Sequence, residues 1–146
     1  MTPEQVSLRD ALAELPARAA HAAGRHADPS VARNPDEWSA REVLLHLIAV
    51  EIKVWQPRLR ALQAETFPLW PWVEPGLWNG PEGATFAGAL DVYRRQRAVT
   101  VAALDSLDDA GWARQGRHAT FGVLDVVALM RVALDHDEEH LAQIGA

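Results

Sequence analysis

The sequence contains no cysteine. That absence excludes a disulfide framework, a thiolate ligand to a metal and a cysteine nucleophile, so any thiol chemistry needs a thiol supplied by another molecule. Lysine is nearly absent as well, because Lys53 is the one lysine among 14 basic residues. The net charge of −6 argues against a general affinity for nucleic acid or for an anionic membrane.

Long apolar runs are also missing. No uncharged apolar stretch reaches the roughly 18 residues that a membrane-spanning helix needs. Residues 1–13 lack the basic stretch followed by an apolar stretch that marks a secretory signal. We therefore expect a soluble, cytoplasmic protein. The chain of 146 residues is long enough to bury a stable core, and we predict a single domain over residues 1–146.

Apolar residues recur with a helical period in four parts of the chain, and no segment shows sustained alternation. The sequence therefore predicts an all-α protein without a substantial sheet. A first helix begins at Thr2, with Pro3 at its first position and Gln5 completing a capping box. The pattern is typical of a four-helix bundle; the other apolar helical stretches are Val43 to Val54, Thr85 to Leu107 and Val123 to Leu134.

The connection from Thr66 to Gly83, between the second and third helices, is rich in proline, glycine and tryptophan. Long connections in compact domains are usually functional or disordered. Three large indole rings oppose disorder because each has much apolar area to bury. The loop either covers the core of the bundle or forms an aromatic wall of a substrate pocket. We predict that it contributes to the pocket entrance through Trp70, Trp72 or Trp78.

Two histidines in the sequence DHDEEH, residues 135–140, carry the strongest chemical signal. His136 and His140 are four residues apart, which places them on the same helical face one turn from each other. His46 lies in the second apolar helix. Three imidazoles from two helices would form an open metal site with a position left for water or substrate. The alternatives are a hydrogen-bonded core histidine at position 46 and a solvated acidic helix end.

Carboxylates and a further histidine surround this pattern. Glu42 either completes a capping box with Ser39 or reaches the metal from one turn before His46. Glu139 and Asp137 flank the histidine pair on the helix, where they are candidates to bond the outer nitrogens of the imidazoles. His118, in the polar crossing from Arg114 to Gly122, belongs either to the pocket or to a surface loop.

Basic residues offer two ways to hold an anion. Lys53 follows His46 by seven residues, hence on nearly the same helical face, and would steady a substrate anion unless it extends into solvent. Arg94, Arg95 and Arg97 form a basic patch on the third helix. Such patches are usually solvated, with weak ion pairs, although one arginine could reach a substrate carboxylate or phosphate.

Three stretches together resemble the DinB-like (DinB/YfiT) family: WSxxEVLxHL at 38–47, GVL at 122–124 and HDxxHLAQI at 136–144. The resemblance implies an up-down-down-up four-helix bundle, often a homodimer. It also implies that His46, His136 and His140 bind a divalent metal, commonly zinc or nickel. Characterised relatives include thiol transferases and isomerases, which use a low-molecular-weight thiol such as bacillithiol, mycothiol or glutathione.

The motif and the resemblance leave three classes of function open, each involving a small molecule. The resemblance implies a thiol-dependent S-transferase acting on a small electrophile. A metal-dependent hydrolase is the first alternative, with Glu42 or Glu139 as general base and His118 as a further catalytic candidate. A stress-associated protein that binds metal or ligand without catalysis is the second. Clustered arginine or lysine in the pocket would favour the transferase, and a positioned carboxylate would favour the hydrolase.

Overall fold

A computed structural model describes every residue from Met1 to Ala146. Four long helical units form the molecule, so the predicted all-α class is confirmed. A π-helical segment, Glu51–Trp55, joins α2 to α3 without a break, and a 3-10 turn, Pro81–Ala84, precedes α4. None of the helices combines the length and the apolar character needed to cross a bilayer. The helices are α1 (Pro3–Ala23), α2 (Ala40–Val50), α3 (Gln56–Ala64), α4 (Phe86–Asp105), α5 (Asp109–Trp112) and α6 (Val126–Ala142).

Ion pairs show the direction of the helices around α1. Arg131, near the start of α6, pairs with Glu4 at the start of α1, so these two helices run parallel. Asp105, the last residue of α4, lies 3.3 Å from Arg9 near the start of α1, so α4 runs antiparallel to α1. With α1 taken as up, α4 is therefore down and α6 is up.

Hydrogen bonds fix the direction of the second helical unit. Arg41 at the start of α2 donates to the Gly83 carbonyl just before α4. Further along, the Gln56 amide donates to the Gln96 carbonyl in the middle of α4. The α2–α3 unit is therefore parallel to α4 and runs down, which confirms the predicted up-down-down-up order.

The start of α2 is held by reciprocal hydrogen bonds between Ser39 and Glu42. Ser39 Oγ accepts from the Glu42 backbone N–H at 3.1 Å, and Glu42 Oε1 accepts from the Ser39 backbone N–H at 3.1 Å. This is the predicted capping box, and it satisfies two backbone donors that the first helical turn leaves unpaired. The cap fixes where α2 begins and hence the height of His46 in the bundle.

Replacing Ser39 with alanine should lower the free energy of unfolding by about 1 kcal/mol, the usual loss for a removed N-cap hydroxyl. Denaturant unfolding of metal-free protein measures this loss without a contribution from metal binding. Ser30→Ala is the control, because the Ser30 hydroxyl caps no helix. Equal unfolding curves for Ser39→Ala and wild type would mean that α2 does not depend on this cap.

The π-helical segment lies just before Pro57, which has no N–H to donate to the preceding turn. In this segment the Gln56 N–H bonds to the Glu51 carbonyl, five residues back. The wider turn rotates the following side chains away from their places on an ideal α-helical wheel. Glu51, the first residue of the segment, is buried in the core, whereas Lys53 is exposed to solvent.

Hydrogen bonding and close packing hold the long loop against α2. The Trp78 N–H donates to the Leu45 carbonyl at 3.0 Å. Gly83 contacts the same residue so closely that a Cβ atom there would lie 2.6 Å from Leu45 Cδ2. The Trp78 ring packs on the core, so this part of the loop covers the bundle.

A small sheet lies outside the bundle, although the sequence predicted no substantial one. Strand β1 (Leu69–Trp70) pairs in parallel with β2 (Gly116–His118), and β2 pairs antiparallel with β3 (Gly122–Leu124). Strands of two or three residues are too short for alternation to be visible in the sequence. The sheet joins the long loop to the crossing between α5 and α6, with Trp70 opposite His118.

Candidate metal centre

Three histidines from α2 and α6 meet at one point in the bundle. One ligand atom from each of His46, His136 and His140 lies within 4.8 Å of the others. The His46 and His136 ring centroids are both 4.6 Å from that of His140 and 5.5 Å from each other. The i, i+4 spacing on α6 and the capped start of α2 produce this arrangement.

Hydrogen bonds select one nitrogen of each α6 histidine. His136 Nδ1 lies 2.9 Å from Asp137 Oδ1, and His140 Nδ1 lies 3.2 Å from Gln143 Oε1. In a neutral imidazole, an Nδ1 that donates to an oxygen leaves Nε2 without a hydrogen, so Nε2 can bind a metal. Metal-bound histidines commonly use their second nitrogen in this way.

His46 is 3% exposed, and its buried Nδ1 has no hydrogen-bond partner. An unpartnered buried nitrogen in a histidine cluster fits a site that binds an ion. Burial, and then the charges of His140 and His136, lower the pKa of His46, against smaller opposing effects of the Gly76 backbone and of Asp137. The neutral imidazole favoured in this way is the form that binds metal.

Two tryptophans contact the histidine cluster. The Trp38 ring centroid is 5.0 Å from that of His46, and Trp38 stacks on His140 at 5.9 Å. Trp55 meets the His136 ring edge to face at 5.7 Å. These rings restrict the imidazoles and shield them from part of the solvent.

A buried polar network supports His136 from inside the bundle. Arg97 on α4 is 2% exposed and pairs with both Asp137 and Glu51. The prediction of a solvated basic patch was therefore wrong for Arg97, although Arg94 and Arg95 are exposed. Because Asp137 also contacts His136, the network connects α4, the π-helical segment and the histidine cluster.

The charges in this network are not balanced, since one guanidinium faces two carboxylates. Burial raises the pKa of Glu51 to about 7, against the opposing attraction of Arg97. Burial also acts to raise the pKa of Asp137, but Arg97 and His136 outweigh it and hold that pKa below its ordinary value. Asp137 is therefore the ionised carboxylate available to His136.

A cavity of about 490 Å³ opens beside the three histidines. One part of its wall is apolar, with Val50 and Val54 from the helices and Trp72 and Phe121 from the outer segments. Its polar lining outside the histidine cluster comprises Arg58, Glu74, His118, Asp135, Glu139 and Gln143. Such a mixture of apolar wall and a few polar groups is typical of small-molecule sites.

The residues predicted from the sequence separate into two groups. Glu139, His118 and Trp72 line the cavity. Glu42 is occupied in the cap of α2, and Lys53 is exposed outside the cavity. The remaining loop tryptophans, Trp70 and Trp78, pack against the core instead.

Several cavity residues were not anticipated, namely Arg58, Glu74, Phe121, Asp135 and Gln143, together with the flanking Trp38 and Trp55. Asp135 and Gln143 carried a usable signal, because both lie within about one turn of the histidine pair on α6. The cavity position of Trp55 and Arg58 depends on the π-helical segment, whose form could not be predicted from the sequence.

Comparisons with known proteins agree with this architecture. The chain is similar over 99% of its length, and over 86% of the other chain, to a structure described as "YfiT from Bacillus subtilis is a probable metal-dependent hydrolase with an unusual four-helix bundle topology". The TM-score is 0.76 and the sequence identity is 18%, so the likeness is one of fold. No curated protein matches the chain. The DinB superfamily matches residues 4–144, and the chain therefore belongs to that superfamily.

Proposed function

We propose that this protein is a divalent-metal-dependent hydrolase acting on a small, partly apolar substrate. The observation that carries the proposal is the polar lining of the cavity beside the three histidines. Three carboxylates, Glu74, Asp135 and Glu139, line it, whereas Arg58 is its one arginine and no lysine reaches it. A positioned carboxylate is what hydrolysis needs, and the clustered cations expected for holding an acidic thiol cofactor are missing.

The protein groups have separable roles in this proposal. A divalent ion held by His46, His136 and His140 would supply Lewis acidity and activate water. Glu139 lies on α6 between the two histidines and faces the same cavity, so its carboxylate can accept the proton that the attacking water loses. Trp72 and Phe121 provide an apolar wall for the substrate.

The hydrolase named in the structural comparison supports the proposal only through its fold, since the sequence identity is 18%. The S-transferase implied by the resemblance stays a prediction, as do zinc or nickel as the ion and a homodimeric assembly. A non-enzymatic binding role also stays a prediction. An assay that offers metal-loaded protein an activated ester, and separately a thiol with an electrophile, compares the first two directly.

Replacing Glu139 with glutamine should lower kcat for hydrolysis of an activated ester by about 100-fold or more, the range for loss of a general base. Metal content should be unchanged, because Glu139 is not one of the three clustered ligands. The matched control is Glu138→Gln: Glu138 is the adjacent residue but bonds Arg18 at 2.8 Å, away from the cavity. Equal kcat in the two variants would exclude Glu139 as the base.

A further inference from the structure

Arg58 is a buried cation without a carboxylate partner. It is 6% exposed, and Nη2 donates to the Pro71 carbonyl at 2.9 Å. Its guanidinium lies against two indole rings, 6.0 Å from the Trp55 centroid and 5.7 Å from the Trp70 centroid. It takes part in no ion pair of the protein, and burial lowers its pKa without an opposing carboxylate.

An uncompensated buried charge is costly, so its retention at a cavity wall points to a ligand that neutralises it. The remaining N–H groups of Arg58 have no acceptor in the protein and are not fully enclosed. A guanidinium presents such donors in a flat fork that matches a carboxylate. Packing between Trp55 and Trp70 keeps the fork in place before the ligand arrives.

His118 offers a second donor to the same cavity. It is 1% exposed, and its Nδ1 accepts hydrogen bonds from the backbone N–H groups of Thr120 at 2.9 Å and Phe121 at 3.2 Å. A neutral imidazole that accepts at Nδ1 carries its proton on Nε2. Nε2 has no partner in the protein and is not fully enclosed. Burial, followed by the charge of Arg58, lowers the pKa of His118 and so favours this neutral tautomer.

We propose that Arg58 and His118 form an anion subsite beside the metal centre and that the natural substrate carries a carboxylate. Arg58 would supply the charge and a bidentate contact, and His118 a single N–H donor. This deepens the proposed function, because it makes the substrate a carboxylate-bearing ester or amide. The acidic residues of the cavity do not replace this ligand, since none of Glu74, Asp135 and Glu139 forms an ion pair with Arg58.

The proposal is tested first by binding, without any need for catalysis. Benzoate and its neutral isostere benzamide are titrated calorimetrically into wild-type protein, once metal-loaded and once metal-free. We expect benzoate to bind at least tenfold more tightly than benzamide in both forms. Equal affinities would overturn the proposal. A preference for benzoate that vanishes on metal removal would also overturn it, because the anion would then be bound by the metal. Phenyl phosphate is titrated in parallel and should bind less tightly than benzoate. Tighter binding of phenyl phosphate would overturn the assignment of a carboxylate to the substrate.

Variants then assign the preference to the two residues. Arg58→Gln should abolish the discrimination between benzoate and benzamide, and Arg58→Lys should retain part of it. His118→Asn places an amide oxygen where Nδ1 accepts but removes the Nε2 donor, so it should weaken benzoate binding several-fold. His118→Gln, which restores a donor near Nε2, should recover part of that loss. Unchanged discrimination in Arg58→Gln would contradict the assignment; should that variant fail to fold, the two His118 variants decide.

Kinetics with a matched pair of esters separates this subsite from the proposed hydrolase activity. If the subsite exists and the protein is a hydrolase, Arg58→Gln raises KM for a carboxylate-bearing ester at least ten times more than it raises KM for the neutral analogue. Carboxylate binding without turnover of any ester would remove the proposed activity while leaving the subsite intact. Turnover of esters without a preference for the carboxylate-bearing one would support the proposed activity and overturn the subsite.

Discussion

Replacement of His136 with alanine should abolish stoichiometric binding of a divalent metal, whereas wild-type protein should bind about one ion per chain. One ligand atom from each of the three imidazoles lies within 4.8 Å of the others, and two of the rings are oriented by Asp137 and Gln143. Loss of one ligand leaves two nitrogens, too few for an open three-histidine site. Elemental analysis after purification and metal loading measures the stoichiometry directly.

The control for this experiment is His21→Ala, because His21 is exposed on α1 and belongs to no cluster. A second readout is thermal unfolding with and without added metal. An ion that binds only the folded chain should stabilise wild type and His21→Ala but not His136→Ala. Equal metal content in wild type and His136→Ala would mean that the histidine cluster is not the site.

The histidine cluster could be predicted from the sequence because it depends on regular helical geometry. The i, i+4 spacing on α6 needs only the period of an α-helix, and His46 lies in the regular part of α2, before the π-helical segment. The same regularity made the four helical units and the cap at Ser39 visible in the sequence. Residue spacing and capping patterns are therefore enough to predict positions in a regular α-helix.

Prediction failed where the helix departs from that ideal. Lys53 follows His46 by seven residues and would share its face in an uninterrupted α-helix, but the π-helical segment turns it to solvent. The same rotation brings Trp55 against His136 and Arg58 to the cavity. A proline at position 57 signals an irregularity without specifying its form, so these positions needed the structure.

Tertiary burial is the second feature that the sequence did not reveal. Arg97 follows the exposed pair Arg94 and Arg95 after one intervening residue, and charge alone does not distinguish it from them. Its partners come from distant parts of the chain, Glu51 and Asp137, which only the fold brings together. The outer wall of the cavity depends likewise on the pairing of Trp70 with His118 across strands too short to recognise.

Replacement of Arg97 with methionine should lower the free energy of unfolding by about 3–5 kcal/mol, the range for removing one partner of a buried ion pair. Methionine fills much of the volume but leaves Glu51 and Asp137 buried without a cation. The effect should exceed that of the lost cap at Ser39 several-fold. Denaturant unfolding of metal-free protein at pH 8 measures it.

The pH dependence distinguishes a charge effect from a packing effect. Without Arg97, burial should raise the folded-state pKa of both Glu51 and Asp137 above their unfolded values, so the folded state binds more protons than the unfolded state between pH 5 and 8. Stability conferred by a raised pKa is present at low pH and lost as pH rises, so the destabilisation of Arg97→Met relative to wild type should be smaller at pH 5 than at pH 8.

The matched control, Arg94→Met, removes an exposed arginine of the same helix and should change stability by less than about 0.5 kcal/mol at either pH. A loss in Arg97→Met that is equal at pH 5 and pH 8 would show that Arg97 stabilises the bundle by packing rather than by its charge.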